Sequence, residues 1–146
     1  MRTVFDYLQA VQKVINAIPD ETEKIINNNA EKIIGITDVD LFVPVLTFVF
    51  GEAQLDGKAA LVSISRLKNE FYGLPKNENL LIDRINKEVI HELGHTFGLY
   101  HCDNYECVMN SSMYVENIDL KRIDFCHKCR TILNYNITKQ HSKNNK

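Results

Sequence analysis

The eleven residues from His91 to His101, His-Glu-Leu-Gly-His-Thr-Phe-Gly-Leu-Tyr-His, constrain this chain more than any other stretch. Apolar residues at 82, 85, 89, 90, 93 and 97 recur at three- and four-residue steps. That period predicts a helix from Leu80, with Gly98 as its stop. On such a helix His91 and His95 stack on one face, so both imidazoles can reach one metal ion. Glu92 lies about 100° further round, near enough to serve a water beside the metal without becoming a ligand. Gly98 tolerates positive φ and can turn the chain back, which brings His101 in from a loop as a third nitrogen donor. Three protein ligands with one position left open mark a catalytic zinc, and an adjacent carboxylate is the general base that hydrolysis requires.

The four cysteines come immediately after, at 102, 107, 126 and 129, with none elsewhere. Without a secretory leader in view, such a cluster reads as metal binding rather than disulfides. Cys126-His-Lys-Cys129 supplies one chelating pair and Cys102 with Cys107 another, which suits a tetrahedral structural zinc. A nucleic-acid-binding zinc ribbon is the rival reading. Only Lys121, Arg122, Lys128 and Arg130 offer basic charge nearby, with few aromatic groups for stacking, so the ribbon is disfavoured. His127, between two cysteines, is expected to be solvated, and Tyr105 and Tyr114 to be structural.

Upstream the pattern is less regular. Phe5 to Ile18 carries a helical stripe ended by Pro19, and a weaker helical pattern with Ile25 and Ile26 breaks at the asparagine run 27–29. Ile33 to Ile36 reads as a buried strand. Leu41 to Phe50 reads as a second, with Pro44 arguing for an edge or a bulge. Leu55-Asp-Gly57 resembles a hairpin turn leading to a returning strand, Ala59 to Ile64, in an antiparallel ribbon. Between Leu67 and Asn79 Gly73 and Pro75 mark a loop. A last helix is expected from Cys126 to Leu133, with residues 139–146 a disordered tail.

A chain of 146 residues suits one domain, read here as 1–138, with a sheet and helix part at 1–98 and a cysteine-bound part at 99–138. A net charge of −2 gives no reason to expect nucleic acid or an anionic membrane as partner. No apolar run approaches the roughly 20 residues that span a bilayer, and no basic start with an apolar core follows Met1. The expectation is a cytoplasmic monomer.

The run H-E-x-x-H-x-x-G-x-x-H, with Met109 following, resembles the metzincin clan of zinc peptidases. The passage of His101 directly into Cys102, then Cys107-Val-Met109 and Cys126-His-Lys-Cys129, is similar to the archaemetzincins. So are Thr37-Asp-Val-Asp-Leu, Phe48-Val-Phe-Gly-Glu-Ala and Val62-Ser-Ile-Ser-Arg-Leu, and the likeness runs from about residue 33 to 133. The resemblance implies an α+β fold: a compact metzincin-like domain with a twisted mixed sheet, an antiparallel edge strand, an active-site helix and a zinc-stabilised C-terminal subdomain. It implies a catalytic zinc on His91, His95 and His101, Glu92 as base, and Met109 as the apolar floor of a Met-turn. A second, structural zinc falls to Cys102, Cys107, Cys126 and Cys129, making two zinc ions per chain. The strand near Phe48 to Ala53 becomes the upper rim of a cleft for an extended peptide. The strand and helix with which members of that family usually begin have no counterpart before Phe5.

Peptide hydrolysis is the leading expectation. A non-catalytic zinc-stabilised binding protein is one alternative, disfavoured because holding zinc does not require Glu92. A zinc hydrolase of a non-peptide amide is another, since it needs the same metal, water and base.

Overall fold

β-Branched and aromatic residues build a small sheet in the computed structural model, which describes residues 30–43 and 46–144. The helical patterns expected before residue 29 lie outside the described residues. Five strands follow in order: β1 (Ile33–Thr37), β2 (Leu41–Val43), β3 (Leu46–Val49), β4 (Gly51–Ala53) and β5 (Ala59–Ser63). β5 is central in a three-stranded sheet of order β1-β5-β4, parallel to β1 and antiparallel to β4. The mixed sheet with an antiparallel strand at its edge is the arrangement expected.

Strand detail differs from the sequence reading in three places. Leu41 to Phe50 holds two strands, β2 and β3, paired antiparallel with each other; Pro44 and Val45 lie outside the described residues. The ribbon partner of β5 is therefore β4, between the run at 41–50 and the hairpin turn. The turn itself forms as expected, with the Gly57 amide donating to Gln54 O at 3.0 Å and Asp56 at φ 52. β1 is only partly covered, and Ile36 is 56% exposed.

Residues 65–67 and 69–72 form short 3-10 turns within the predicted loop. Helix α1 (Glu78–Thr96) follows, its start fixed by Asn77, whose side chain accepts from the Leu80 amide. It ends as the glycine predicts. Gly98 sits at φ 82, its amide donating to His95 O and the Leu99 amide to Gly94 O, the paired bonds of a Schellman motif. Lys32 Nζ donates to Thr96 O at 2.8 Å, adding a cation where the helix carbonyls are unpaired.

α1 packs its two sides on different clusters. Leu81, Ile85 and Val89 meet Phe50, Val62 and Leu67 from the sheet side, with Val115 and Ile118 of a short helix α2 (Val115–Leu120). Ile90 meets a second cluster built on Leu99, Val108 and Met109 with the cysteines. Arg84 ties the first cluster together: 5% exposed, it bonds Asp119 twice at 2.7 Å and Leu67 O at 2.8 Å. The last helix, α3 (His127–Asn144), is longer than expected. Residues 139–144, expected to be disordered, are helical, and Gln140 Nε2 is tied to Asp56 across 2.6 Å. A tertiary bond of that kind holds a polar segment whose own composition would not.

Candidate active site and metal centres

The helix period places His91 and His95 one turn apart, and the Schellman turn returns His101 to the same point. The three imidazoles present donor atoms within 4.8 Å of one another. His91 Nε2 and His95 Nε2 are 3.1 Å apart. Their other nitrogens each face a carbonyl at 2.7 Å, Val108 O for His91 and Leu99 O for His95. A carbonyl only accepts, so each Nδ1 carries the proton and each Nε2 presents a lone pair. Burial disfavours further protonation of all three rings. Two facing lone pairs at this distance repel unless a cation lies between them. The donor set thus fits zinc, whose ligands are neutral imidazoles.

Glu92 is 4% exposed beside them. Burial first, then the charges of Glu88 and Glu52, hold its carboxyl well above the ordinary range, while Lys121 pulls it down. Its place depends on Gly51 across the sheet edge: a Cβ there would come within 2.6 Å of Glu92 Oε1. Met109 is fully buried against Gly94, the glycine between the two helical histidines, where a side chain would collide with the methionine sulfur. Gly51 and Gly94 escaped the sequence reading because each matters only through a contact far along the chain.

The cysteines converge as expected. Cys102, Cys107, Cys126 and Cys129 bring their sulfurs within 4.8 Å of one another, and all four are free thiols. Backbone hydrogen bonding at Cys129 heads the causes that bring the Cys126 thiol down to about 7, whereas burial pushes Cys107 and Cys129 up. Four soft donors so packed match a tetrahedral thiolate site. His127 is exposed and stands outside this group.

Short bonds join the two centres. The Cys102 amide donates to Met109 O at 2.9 Å, Asn110 Nδ2 donates to Cys102 O at 2.7 Å, and Val108, whose carbonyl holds His91, follows Cys107 directly. A cleft of about 620 Å³ is lined by the three histidines, by Glu92 and by residues 48–53 and 111–113. Phe48 to Ala53 thus forms the rim expected of it. Tyr105 and Tyr114 do not line the cleft, and both are exposed.

A helix-borne histidine pair, a third histidine from a glycine turn and a neighbouring four-cysteine group define an α+β domain with two metal-binding groups. The chain belongs to peptidase family M54, whose model matches residues 1–135. It is 52% identical over 97 residues to the archaemetzincin of Methanocaldococcus jannaschii, covering 66% of this chain and 54% of that protein. The crystal structure of the archaemetzincin from Methanopyrus kandleri superposes with a TM-score of 0.74 at 35% identity, over 89% of this chain and 64% of that one. A zinc-dependent peptidase from Methanocorpusculum labreanum gives 0.69 at 45% identity, over 80% and 61%. The likeness to archaemetzincins drawn from the motifs therefore holds. The chain spans about half the length of the curated relatives it matches.

Proposed function

We propose that this chain hydrolyses peptide bonds at a zinc ion held by His91, His95 and His101, with Glu92 as general base. The observation that carries this reading is the pair of Nε2 lone pairs 3.1 Å apart, locked by carbonyls behind them, next to a buried carboxylate at the floor of an open cleft. A zinc ion held by these histidines would supply Lewis-acid polarisation of the scissile carbonyl and a water that is nucleophilic near neutral pH. Glu92 accepts the proton of the attacking water and returns it to the leaving amine. Gly51 leaves the space in which that carboxylate sits. Val108 O and Leu99 O keep two of the imidazoles in the ligating tautomer. The free edge of β4 offers an extended peptide backbone bonds along the cleft wall. Cys102, Cys107, Cys126 and Cys129 hold a second, structural zinc, and Met109 closes the floor. The name carried by the Methanocorpusculum labreanum protein, a zinc-dependent peptidase, supports the same reaction for this chain.

The test is cleavage of a diverse peptide library by the zinc-loaded protein and by Glu92→Ala. The wild type should cut a defined subset. The variant should lose about 100-fold or more in turnover with its zinc content unchanged. A variant that loses one zinc makes Glu92 a ligand and overturns the assigned role; undiminished turnover removes the reaction from this site.

A further inference from the structure

Three polar atoms of residues lining the cleft are buried without a hydrogen-bond partner among the described residues. They are Glu52 Oε1 on β4, Glu88 Oε1 on α1 and Ser112 Oγ on the loop beyond Met109. Buried polar groups are nearly always paired, so a cleft with orphaned polar atoms in its lining is suited to a polar ligand. The three carboxylates lining the cleft differ in what faces their charge. Glu88 has the Lys121 ammonium 3.6 Å away, and Glu92 has its role toward water. Among the described residues Glu52 faces no cation, and no lysine or arginine lines the cleft. Burial alone raises its carboxyl. Its charge in turn reaches Glu92, which places it in the field of the reacting centre.

We propose that Glu52 is the cation-recognition group of the cleft, accepting hydrogen bonds from a positively charged nitrogen of the substrate, either its free α-amine or a lysine ammonium. The inference rests on the peptidase reading and adds the class of substrate. A charge-assisted bond in a partly dry site is strong and directional, and a cation gained there offsets the cost of keeping a lone carboxylate out of water. A neutral group at that position leaves the carboxylate unpaired. The cleft therefore selects by the charge beside the scissile bond and not only by apolar fit.

The test uses the full zinc-loaded chain and peptide hydroxamates of one to three residues, which bind without being cut. Each leucine hydroxamate is compared with its N-acetyl form, and each N-acetylated lysine hydroxamate with its norleucine counterpart, by calorimetry. In the wild type the charged member of at least one pair should bind about 10-fold tighter or more. The first pair reports the α-amine and the second the lysine. Glu52→Gln should bring that ratio to about 1 while neutral members bind as before, and Glu52→Asp, which keeps the charge, should retain part of the preference. Equal binding of charged and neutral members by the wild type overturns the proposal, as does a ratio that survives in Glu52→Gln. Absence of any peptide cleavage would sink the peptidase reading and leave this comparison standing.

Discussion

Gly51 shows how much of this site depends on an atom that is not there. The carboxylate of Glu92 occupies the space a side chain at 51 would take, with only 2.6 Å between a built Cβ and Oε1. Backbone on one side and helix on the other leave the carboxylate as the part that moves. On the role proposed for Glu92, Gly51→Ala should lower kcat by about 10–100-fold, the size expected when a catalytic group is displaced by about 1 Å. Zinc content should not change, because no ligand is touched. A Gly51→Ala protein with full turnover would show that Glu92 has room to spare. Asp40 gives a second residue-scale expectation. The hydrogen bond and charge of Arg66, at 2.7 Å, hold its carboxyl below the ordinary range. A depressed carboxyl adds stability above its unfolded value near ~3.9, and that stability is lost as pH falls through the folded value. Asp40→Asn should therefore lower the melting temperature at pH 7 and flatten its fall below about pH 4. Parallel melting curves for the two proteins across pH 2–7 would contradict this.

At the scale of elements, α1 joins the two halves of the molecule. Its sheet side rests on Phe50 and Val62, and its other side carries the metal-binding histidines onto the turn that follows. Its C-terminal turn decides where His101 goes, because Gly98 takes φ 82 and lies 3.1 Å, measured from a built Cβ, from Asn136 of α3. Gly98→Val adds a branched side chain where positive φ is costly and α3 is close. It should destabilise the fold by about 1–2 kcal/mol and weaken the histidine site for zinc. Denaturant unfolding together with chelator competition measures both, and an unchanged zinc affinity would show that His101 does not depend on this turn.

For the molecule as a whole, the two donor groups predict two zinc ions of unequal lability. The histidine site is reached from the cleft and should yield to a chelator first, taking activity while the fold persists. One zinc per chain by elemental analysis, or loss of both together with unfolding, would contradict that order. The centres should also be coupled. His101 and Cys102 are adjacent, Cys102 grips Met109 and Asn110, and Val108 holds His91. Cys129→Ser touches no histidine, yet it should lower zinc affinity at the histidine site by about 10–100-fold, the usual effect of losing support behind a ligand. His95→Ala should empty only its own site. Equal histidine-site affinities in wild type and a folded Cys129→Ser protein would show the two centres to be independent.

Much of this was legible before any coordinates. The spacing of His91, His95 and Gly98 specifies a ligand set because helix period and glycine φ are local properties that a few residues impose on themselves. The cysteine pairs carry their chemistry in the same way, and the sulfur cluster forms as the spacing suggests. Strand partners were less legible. The ribbon beside β5 is β4 and not the run at 41–50, and residues 139–144 are held helical by Gln140 reaching Asp56. Neither Gly51 beside Glu92 nor the unpaired Glu52 in the cleft wall leaves a mark in the sequence. Each depends on two segments about 40 residues apart meeting at one sheet edge. Local backbone preference therefore determined which residues could act on a metal. Only tertiary packing decided which groups surround them, because burial, pairing and orphaned charge are properties of contacts between distant segments.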